Sequence, residues 1–512
     1  MTATLTAAIE RFQNVTETEN GAITPVTTTS PCLDLFSKIS ACRNNIELAL
    51  ELFRKAVAED EATAFEILFH SRHCRGGQGE RAVFRALLKE ATTHHAPAVC
   101  AVIFHVAAFG RWDDLLCLED TCVWQNVLIR IKIQLGSDLT ALDDGEQVSL
   151  LAKWLPSANA SSKDTKRLAR KIYTYLGWDE RKYRKTLVSL RNAIKIVEHE
   201  MCSREWSSID YERVPSKAAN MYRKAFRKQD GDRYQAYLDA VEKGEAKINA
   251  GTLFPYELVK PYLDAEASFS GFGEDNPITK PIEQDQTLEA QWKALPDYME
   301  KPFNGLVVAD VSGSMYCDNE LPVAVSISLA IYIAERNKNR TFAGKFLTFH
   351  EEPKLESLVG NSLAERVQNL SHAQWGGSTN LVATFDLVLK AAIADNLPAS
   401  EMPEKILIVS DMEFNSACYP NDSTNFQVIN QMYKQAGYPV PQLVFWNVCA
   451  RSNQAPFTTD EGGNAQLVSG CSPSIMKAVL NGDQLTAVQL MEEALTPYKV
   501  IRDAISKTEI PF

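Results

Sequence analysis

Apolar positions recur at helical spacing through the first half of the chain. Short unbroken apolar runs, separated by amphipathic stretches, mark the second half. In the first half, Asn45–Glu59 gathers Leu48, Leu50, Leu52 and Phe53, and Asp60–His70 continues with Phe65, Ile67, Leu68 and Phe69. Gly76, Gly77 and Gly79 then interrupt the pattern before Val83, Phe84, Leu87 and Leu88 resume it. Glycines there predict a tight turn between packed helices. The stretch is no Walker phosphate loop, because the Gly-Lys-Ser/Thr ending is absent.

Further helices are predicted over Ala96–Ala108, Val123–Leu135, Val148–Trp154 and Glu198–Trp206, and again after Pro215. Glu245–Lys260 also reads as helical. Short successive helices that cannot bury their apolar faces alone predict a HEAT-like α-solenoid over 31–264, although no fixed-length repeat is plain. Residues 1–30, rich in Thr and small polar side chains, form an expected N-terminal arm. Across 265–300 the periodicity lapses among Gly271, Gly273, Pro277 and Pro281, which predicts a linker or interdomain strap.

From 301 to 512 the pattern predicts α/β structure. Apolar strands are expected at Leu306–Ala309, Phe342–Phe349, Lys405–Val409, Gln442–Trp446 and Gln466–Val468. Helical spacing falls between them at Leu321–Ala334, Leu363–Leu370, around Phe385–Leu389, and at Phe426–Gln435, with another helix beginning near Pro473. Such alternation calls for a doubly wound, mostly parallel sheet between helices. The fold class is therefore α plus α/β.

Composition changes this picture in three ways. The formal net charge of -12 argues against a nucleic-acid binder as a whole. Two basic stretches run against that average: Lys163, Lys166, Arg167, Arg170, Lys171, Arg181, Lys182, Arg184 and Lys185, then Arg223, Lys224, Arg227 and Lys228. Interleaved with Tyr173, Tyr175, Tyr183 and Tyr222, they are the candidate RNA surface, with a solvated helix face as the alternative. The 11 cysteines show no CxxC or Cys/His ligand pattern, so free thiols in a reducing compartment are expected, not zinc or a disulfide framework. No apolar run has transmembrane length and the N-terminus lacks a signal-like pattern, so a cytoplasmic location is expected.

The candidate chemistry lies where the first predicted strand ends. Asp310, Ser312 and Ser314 follow it at alternate positions, and Asp411 follows the strand Lys405–Val409. Thr379, on the polar loop Gly376–Asn380, is placed to reach the same rim. Carboxylates and hydroxyls are hard oxygen ligands, suited first to Mg²⁺, with Mn²⁺ or Ca²⁺ as alternatives. An enzymatic reading would use Asp310, Asp411 and Glu413 with His350 or His372, but nothing fixes a histidine beside a nucleophile, so no enzyme is expected.

The set Asp310, Ser312, Ser314, Thr379 and Asp411 resembles the metal-ion-dependent adhesion site of von Willebrand factor A domains. That resemblance implies metal-mediated docking of a partner's acidic side chain. The whole chain also resembles the two-part family related to Ro-type proteins, in which a TROVE module of helical repeats precedes a von Willebrand A domain. The stretches that carry it are Arg75–Arg81, Gly110–Leu116, Lys153–Pro156, Ile209–Ser216 and Ser410–Phe414. It implies a binding scaffold, with RNA as a partner of the helical half. The alternative is an assembly protein whose metal site is vestigial.

Overall fold

The computed structural model describes residues 13–194, 196–265, 281–373, 378–416, 423–470, 473–481 and 485–507. Its first half is helical and its second half is built on a mostly parallel sheet, as the hydrophobic pattern predicts; the sheet has six strands where that pattern predicts five, the added one being the short edge strand Leu355–Ser357.

The helices Pro31–Lys38, Ile46–Glu59 and Glu61–Arg72 begin at side-chain caps. Ser30, Asn45 and Asp60 accept hydrogen bonds from Leu33, Leu48 and Thr63 N–H groups respectively. Each cap satisfies an orphan donor and contributes about 1 kcal/mol. The third helix is buried from Ala64 to Arg72, so its apolar residues are not confined to one stripe.

Arg72 itself is buried against Asp114, at 2.7 Å. Asp114 also accepts from Arg85 Nε at 2.7 Å and from Arg111 N–H at 2.8 Å. This network explains Gly110: a Cβ there would stand 2.5 Å from Asp114 Oδ2. Gly77 is required more strictly, since its Cβ would lie 1.9 Å from the His70 carbonyl oxygen. Both glycines permit close approach of neighbouring segments.

The segment expected to be helical over Glu245–Lys260 is corrected by the structure. The helix there is Tyr256–Ala265, just after Pro255. Upstream, Asn249 is spent on other segments: its side chain donates to the Glu212 and Val214 carbonyls, and its carbonyl accepts from Gln291. Those tertiary bonds hold the chain out of a helix.

In the second half the strands are β3 (Gly305–Ala309), β4 (Lys345–Thr348), β5 (Leu355–Ser357), β6 (Lys405–Ser410), β7 (Gln442–Asn447) and β8 (Ala465–Ser469), after a hairpin of β1 (Thr16–Glu17) and β2 (Ile23–Thr24) in the arm. The order across the sheet is β5-β4-β3-β6-β7-β8. All pairs are parallel except β4 with β5. The connection from β3 leads to β4 on one side, while that from β6 leads to β7 on the other. The boundary between β3 and β6 is therefore a topological switch point, where doubly wound sheets open a crevice at the carboxyl ends of their strands.

Alternate strand residues feed two cores. Leu306, Val308, Ile406, Ile408, Leu443 and Phe445 join a cluster continuous with the helices of the first half. Val307, Ala309, Leu407, Val409, Val444 and Trp446 pack beneath the helix Leu321–Arg336, which is buried from Pro322 to Ala334, and the helix Tyr256–Ala265. Period-two alternation thus ties the sheet to both sides of the molecule.

The chain's last helices close the structure back on its beginning. Tyr498 packs against His70, His73 and Phe109, and Arg502 pairs with Glu66 at 2.8 Å. The strap also becomes structural: the helix Gln286–Lys293 is capped by Asp285, which pairs with Arg223 and Arg227. Among the described residues, no helix is long and apolar enough to cross a membrane.

Candidate functional site

β3 and β6 run side by side in register, Val308 opposite Ile408 and Ala309 opposite Val409. The residues that follow each strand therefore emerge together at the switch point. Asp310 N–H donates to the Val409 carbonyl at 3.1 Å, which extends the ladder by one step and fixes the carboxylate at the strand end.

Asp310 and Asp411 are both buried. Asp310 Oδ1 accepts the Ser312 N–H at 2.8 Å, and its Oδ2 accepts the Ser410 hydroxyl at 2.6 Å. Ser312 and Ser314 hydroxyls face each other at 3.1 Å. Asp411 Oδ1 accepts the Glu413 N–H at 3.2 Å, while its Oδ2 is buried without a hydrogen-bond partner. Arg451 approaches that oxygen only to 3.7 Å.

Burial pushes the Asp310 carboxyl up to about 6, and the neighbouring Asp411 charge pushes in the same direction. Burial also raises Asp411, opposed by the Ser314 hydroxyl and the Arg451 charge. Two buried carboxylates that repel each other form a site that favours a cation. The loop after β6 carries a further sign of constraint. Met412 holds a positive φ of 69°, in the left-handed region that non-glycine residues seldom adopt.

Thr379 lies at the same rim but is engaged with the loop after β6. Its hydroxyl stands 2.8 Å from the Glu413 carbonyl oxygen and 2.9 Å from Asn415 Oδ1. The structure thus brings Asp310, Ser312, Ser314 and Asp411 together directly, and sets Thr379 beside them through residues 413–415. The neighbouring loop residues Gly376 and Gly377 lie outside the described residues.

Several participants escape a reading of the sequence alone. Ser410 has no motif of its own. Glu19 and Asn20 arrive from the arm: Asn20 Nδ2 donates to the Glu413 carbonyl at 2.6 Å, and Glu19 N–H donates to Glu413 Oε2 at 2.7 Å. Arg451 bridges Glu19 Oε2 and the Ser314 carbonyl, both at 2.8 Å. The hairpin of β1 and β2 therefore sits on the rim, clasped further by Thr18 Oγ1 donating to the Phe414 carbonyl at 2.6 Å. The sequence marks this segment as a Thr-rich arm but not its seat on the rim.

The donor set fits a hard divalent ion. It offers carboxylate and hydroxyl oxygens, and the buried Asp411 Oδ2 has no hydrogen-bond partner. Among the described residues, no three His, Cys, Asp or Glu side chains gather into a metal cluster, so the hydroxyls are essential to this reading.

The candidate RNA residues divide into two groups. Lys163, Lys166, Arg167, Arg170, Arg181, Lys182, Arg184 and Lys185 are exposed on the helices Lys163–Tyr175 and Glu180–Ile194. Lys171 pairs with Glu119 and Asp120, at 2.7 and 2.6 Å. In the second stretch Lys224, Arg227 and Lys228 are exposed, and Arg223 and Arg227 hold Asp285. Of the interleaved aromatics, Tyr173, Tyr175 and Tyr222 are half-buried. Tyr183 is buried and donates to the Pro156 carbonyl at 2.9 Å.

Comparison with known proteins places both halves. Residues 18–117 and 158–302 match the family model described as Domain of unknown function (DUF2828), and residues 304–505 match Domain of unknown function (DUF7788). Over 524 residues the chain is 30% identical to "Uncharacterized protein L728" of Acanthamoeba polyphaga mimivirus, covering 95% of this chain and 88% of that protein. A solved structure, that of the Deinococcus radiodurans RO (RSR) protein, aligns at 14% identity over 87% of this chain and 93% of its own, with a TM-score of 0.36.

Proposed function

We propose, for a chain that belongs to the same family as the uncharacterized protein L728 of Acanthamoeba polyphaga mimivirus, a non-enzymatic docking scaffold with a metal-dependent rim. The observation that carries this reading is the buried Asp310–Asp411 pair, with Asp411 Oδ2 lacking a hydrogen-bond partner and the Ser312 and Ser314 hydroxyls alongside. Asp310, Ser312, Ser314 and Asp411 would hold the ion, with Thr379 joining from the adjacent loop. Mg²⁺ is the first choice, and Mn²⁺ and Ca²⁺ are the alternatives. A bound ion supplies concentrated positive charge with a position open to a carboxylate of a partner protein.

The strand order, with an antiparallel edge, supports reading the second half as von Willebrand A-type. The serines support a ligand role over a nucleophilic one. Their hydroxyls face each other on the turn that follows Asp310, and among the described residues neither is hydrogen-bonded to a histidine. We read the helical half as a HEAT-like, TROVE-type solenoid, and the protein as cytoplasmic.

Affinity capture from the native source, run with Mg²⁺ and with EDTA, tests the docking claim. Partners held by the Mg²⁺-loaded protein and lost both on chelation and in Asp310→Ala support it. An unchanged partner set rejects it.

RNA binding by the helical half is a second reading. The eight exposed cations on the helices Lys163–Tyr175 and Glu180–Ile194 favour it. A helix face that neutralises phosphates binds with strong salt dependence.

A further inference from the structure

The rim carries a pair of thiols that metal docking does not use. Cys317 follows the turn that bears Ser312 and Ser314, and Cys449 follows β7. They stand 132 residues apart in the chain, yet their sulfurs lie 3.3 Å apart. We propose that Cys317 and Cys449 form a reversible disulfide site, oxidised by thiol–disulfide exchange with a low-molecular-weight disulfide of the glutathione class.

Three features of the structure support the assignment. The first is proximity: closing the gap to a bond of ~2.05 Å needs a side-chain adjustment of little more than an ångström. The second is access. Both thiols are half-buried and line an open cleft of about 380 Å³, together with Arg43, Asn44, Asn45 and Arg451. A cleft of that size admits a small polar molecule.

The third is an asymmetry between the two sulfurs. The hydrogen bond with Cys449 brings the Cys317 thiol down to about 7, and the Arg451 guanidinium acts in the same direction. A thiolate is the attacking species, so Cys317, the thiol that Arg451 hydrogen-bonds, is the nucleophile and Cys449 the resolving thiol. Cys42 and Cys117 differ in kind, since burial pushes each up to about 12.

The steps balance without any further reagent. The Cys317 thiolate attacks one sulfur of RSSR, forms a mixed disulfide and releases RS⁻. Cys449 loses its proton to solvent, attacks the Cys317 sulfur and expels the second RS⁻. The protein gives up two electrons and two protons, and two RSH are formed. The product ties the serine-bearing turn to the loop that carries Arg451. The turn beyond Cys317 is already constrained, with Asp318, Asn319 and Glu320 at φ of 52°, 51° and 61°.

The test uses the full-length protein in glutathione redox buffers, quenched by alkylation and mapped by non-reducing peptide mass spectrometry. The expected result is a cross-linked 317–449 peptide that forms with the oxidised fraction and disappears on reduction. In Cys449→Ser, Cys317 should accumulate as a stable mixed disulfide with glutathione. In Cys317→Ser, Cys449 should stay a free thiol. Both cysteines remaining alkylatable in fully oxidised buffer, with no 317–449 peptide, would overturn the proposal. So would equal glutathione loading of Cys449 in Cys317→Ser.

Discussion

The Ser410 hydroxyl donates to Asp310 Oδ2 at 2.6 Å across the boundary between β6 and β3. One residue ends a strand and the other follows its neighbour, so the bond aims the Asp310 carboxylate at the switch point. A hydrogen bond to a charged, buried acceptor contributes about 1.5–3 kcal/mol. Ser410→Ala should lower the stability of metal-free protein by that amount, with no change in the urea m-value. An unchanged denaturation midpoint would show that the bond does not hold Asp310 in place.

Asp114 anchors the first helices. It is buried and accepts from Arg72, Arg85 and the Arg111 backbone. Asp114→Ala leaves the buried Arg72 guanidinium without its partner, and breaking such a pair costs about 3–5 kcal/mol. Circular dichroism during urea unfolding should show a loss of that size, well beyond that for Arg54→Ala at an exposed pair.

Acid should weaken the packing between the last helices and the first. Burial lowers His70 to about 3 from an ordinary value near 6.5, and both its ring nitrogens lack partners. The folded state therefore resists a proton that the unfolded chain accepts. The stabilising contribution is complete above about pH 6.5 and declines as pH falls toward the folded value, by at most about 1.4 kcal/mol per pH unit. Burial lowers His73, beside the same Tyr498, in the same direction. Denaturation at pH 7.5 and 5.0 should show a stability loss that shrinks in His70→Leu. Equal losses in both proteins would contradict this origin.

The arm should depend on one buried carboxylate. Glu413 accepts from Glu19 N–H at 2.7 Å and from Gln454 Nε2 at 2.9 Å. Glu413→Ala should loosen the β1–β2 hairpin and speed cleavage after Glu17 and Glu19 by glutamyl endopeptidase, followed by mass spectrometry. Cleavage at the wild-type rate would mean that the arm's other contacts suffice.

Much of this site is legible in the residues themselves. An unbroken apolar run ending in Asp310, Ser312 and Ser314 specifies a buried strand and an oxygen-rich turn, because strand and turn chemistry are local. Asp411 is legible for the same reason. Ser410, Glu19 and Arg451 are not, because their roles arise from register and from contacts between distant segments. Asn20 reaches Glu413 across 393 residues. The basic stretches show the same limit. Charge spacing does not reveal that Arg223 and Arg227 serve Asp285, or that Tyr183 points into the core. The loss of a helix over the first part of Glu245–Lys260 likewise depends on bonds from Asn249 to residues far along the chain.

Charge reversal separates the RNA reading from the docking reading. Arg181→Glu, Lys182→Glu, Arg184→Glu and Lys185→Glu, combined, should abolish RNA retention in filter binding at low salt. Wild-type retention should fall steeply as salt rises. No retention by the wild type at low salt would reject RNA binding and leave the metal site untouched.

Calorimetric titration of Mg²⁺ into the full-length protein tests the metal site most directly. The account predicts saturable binding of one ion per chain, weakened at least about tenfold, or about 1.4 kcal/mol, by Asp310→Ala in a protein that remains folded. Absence of saturable Mg²⁺, Mn²⁺ and Ca²⁺ binding, or equal affinity in wild type and Asp310→Ala, would contradict it.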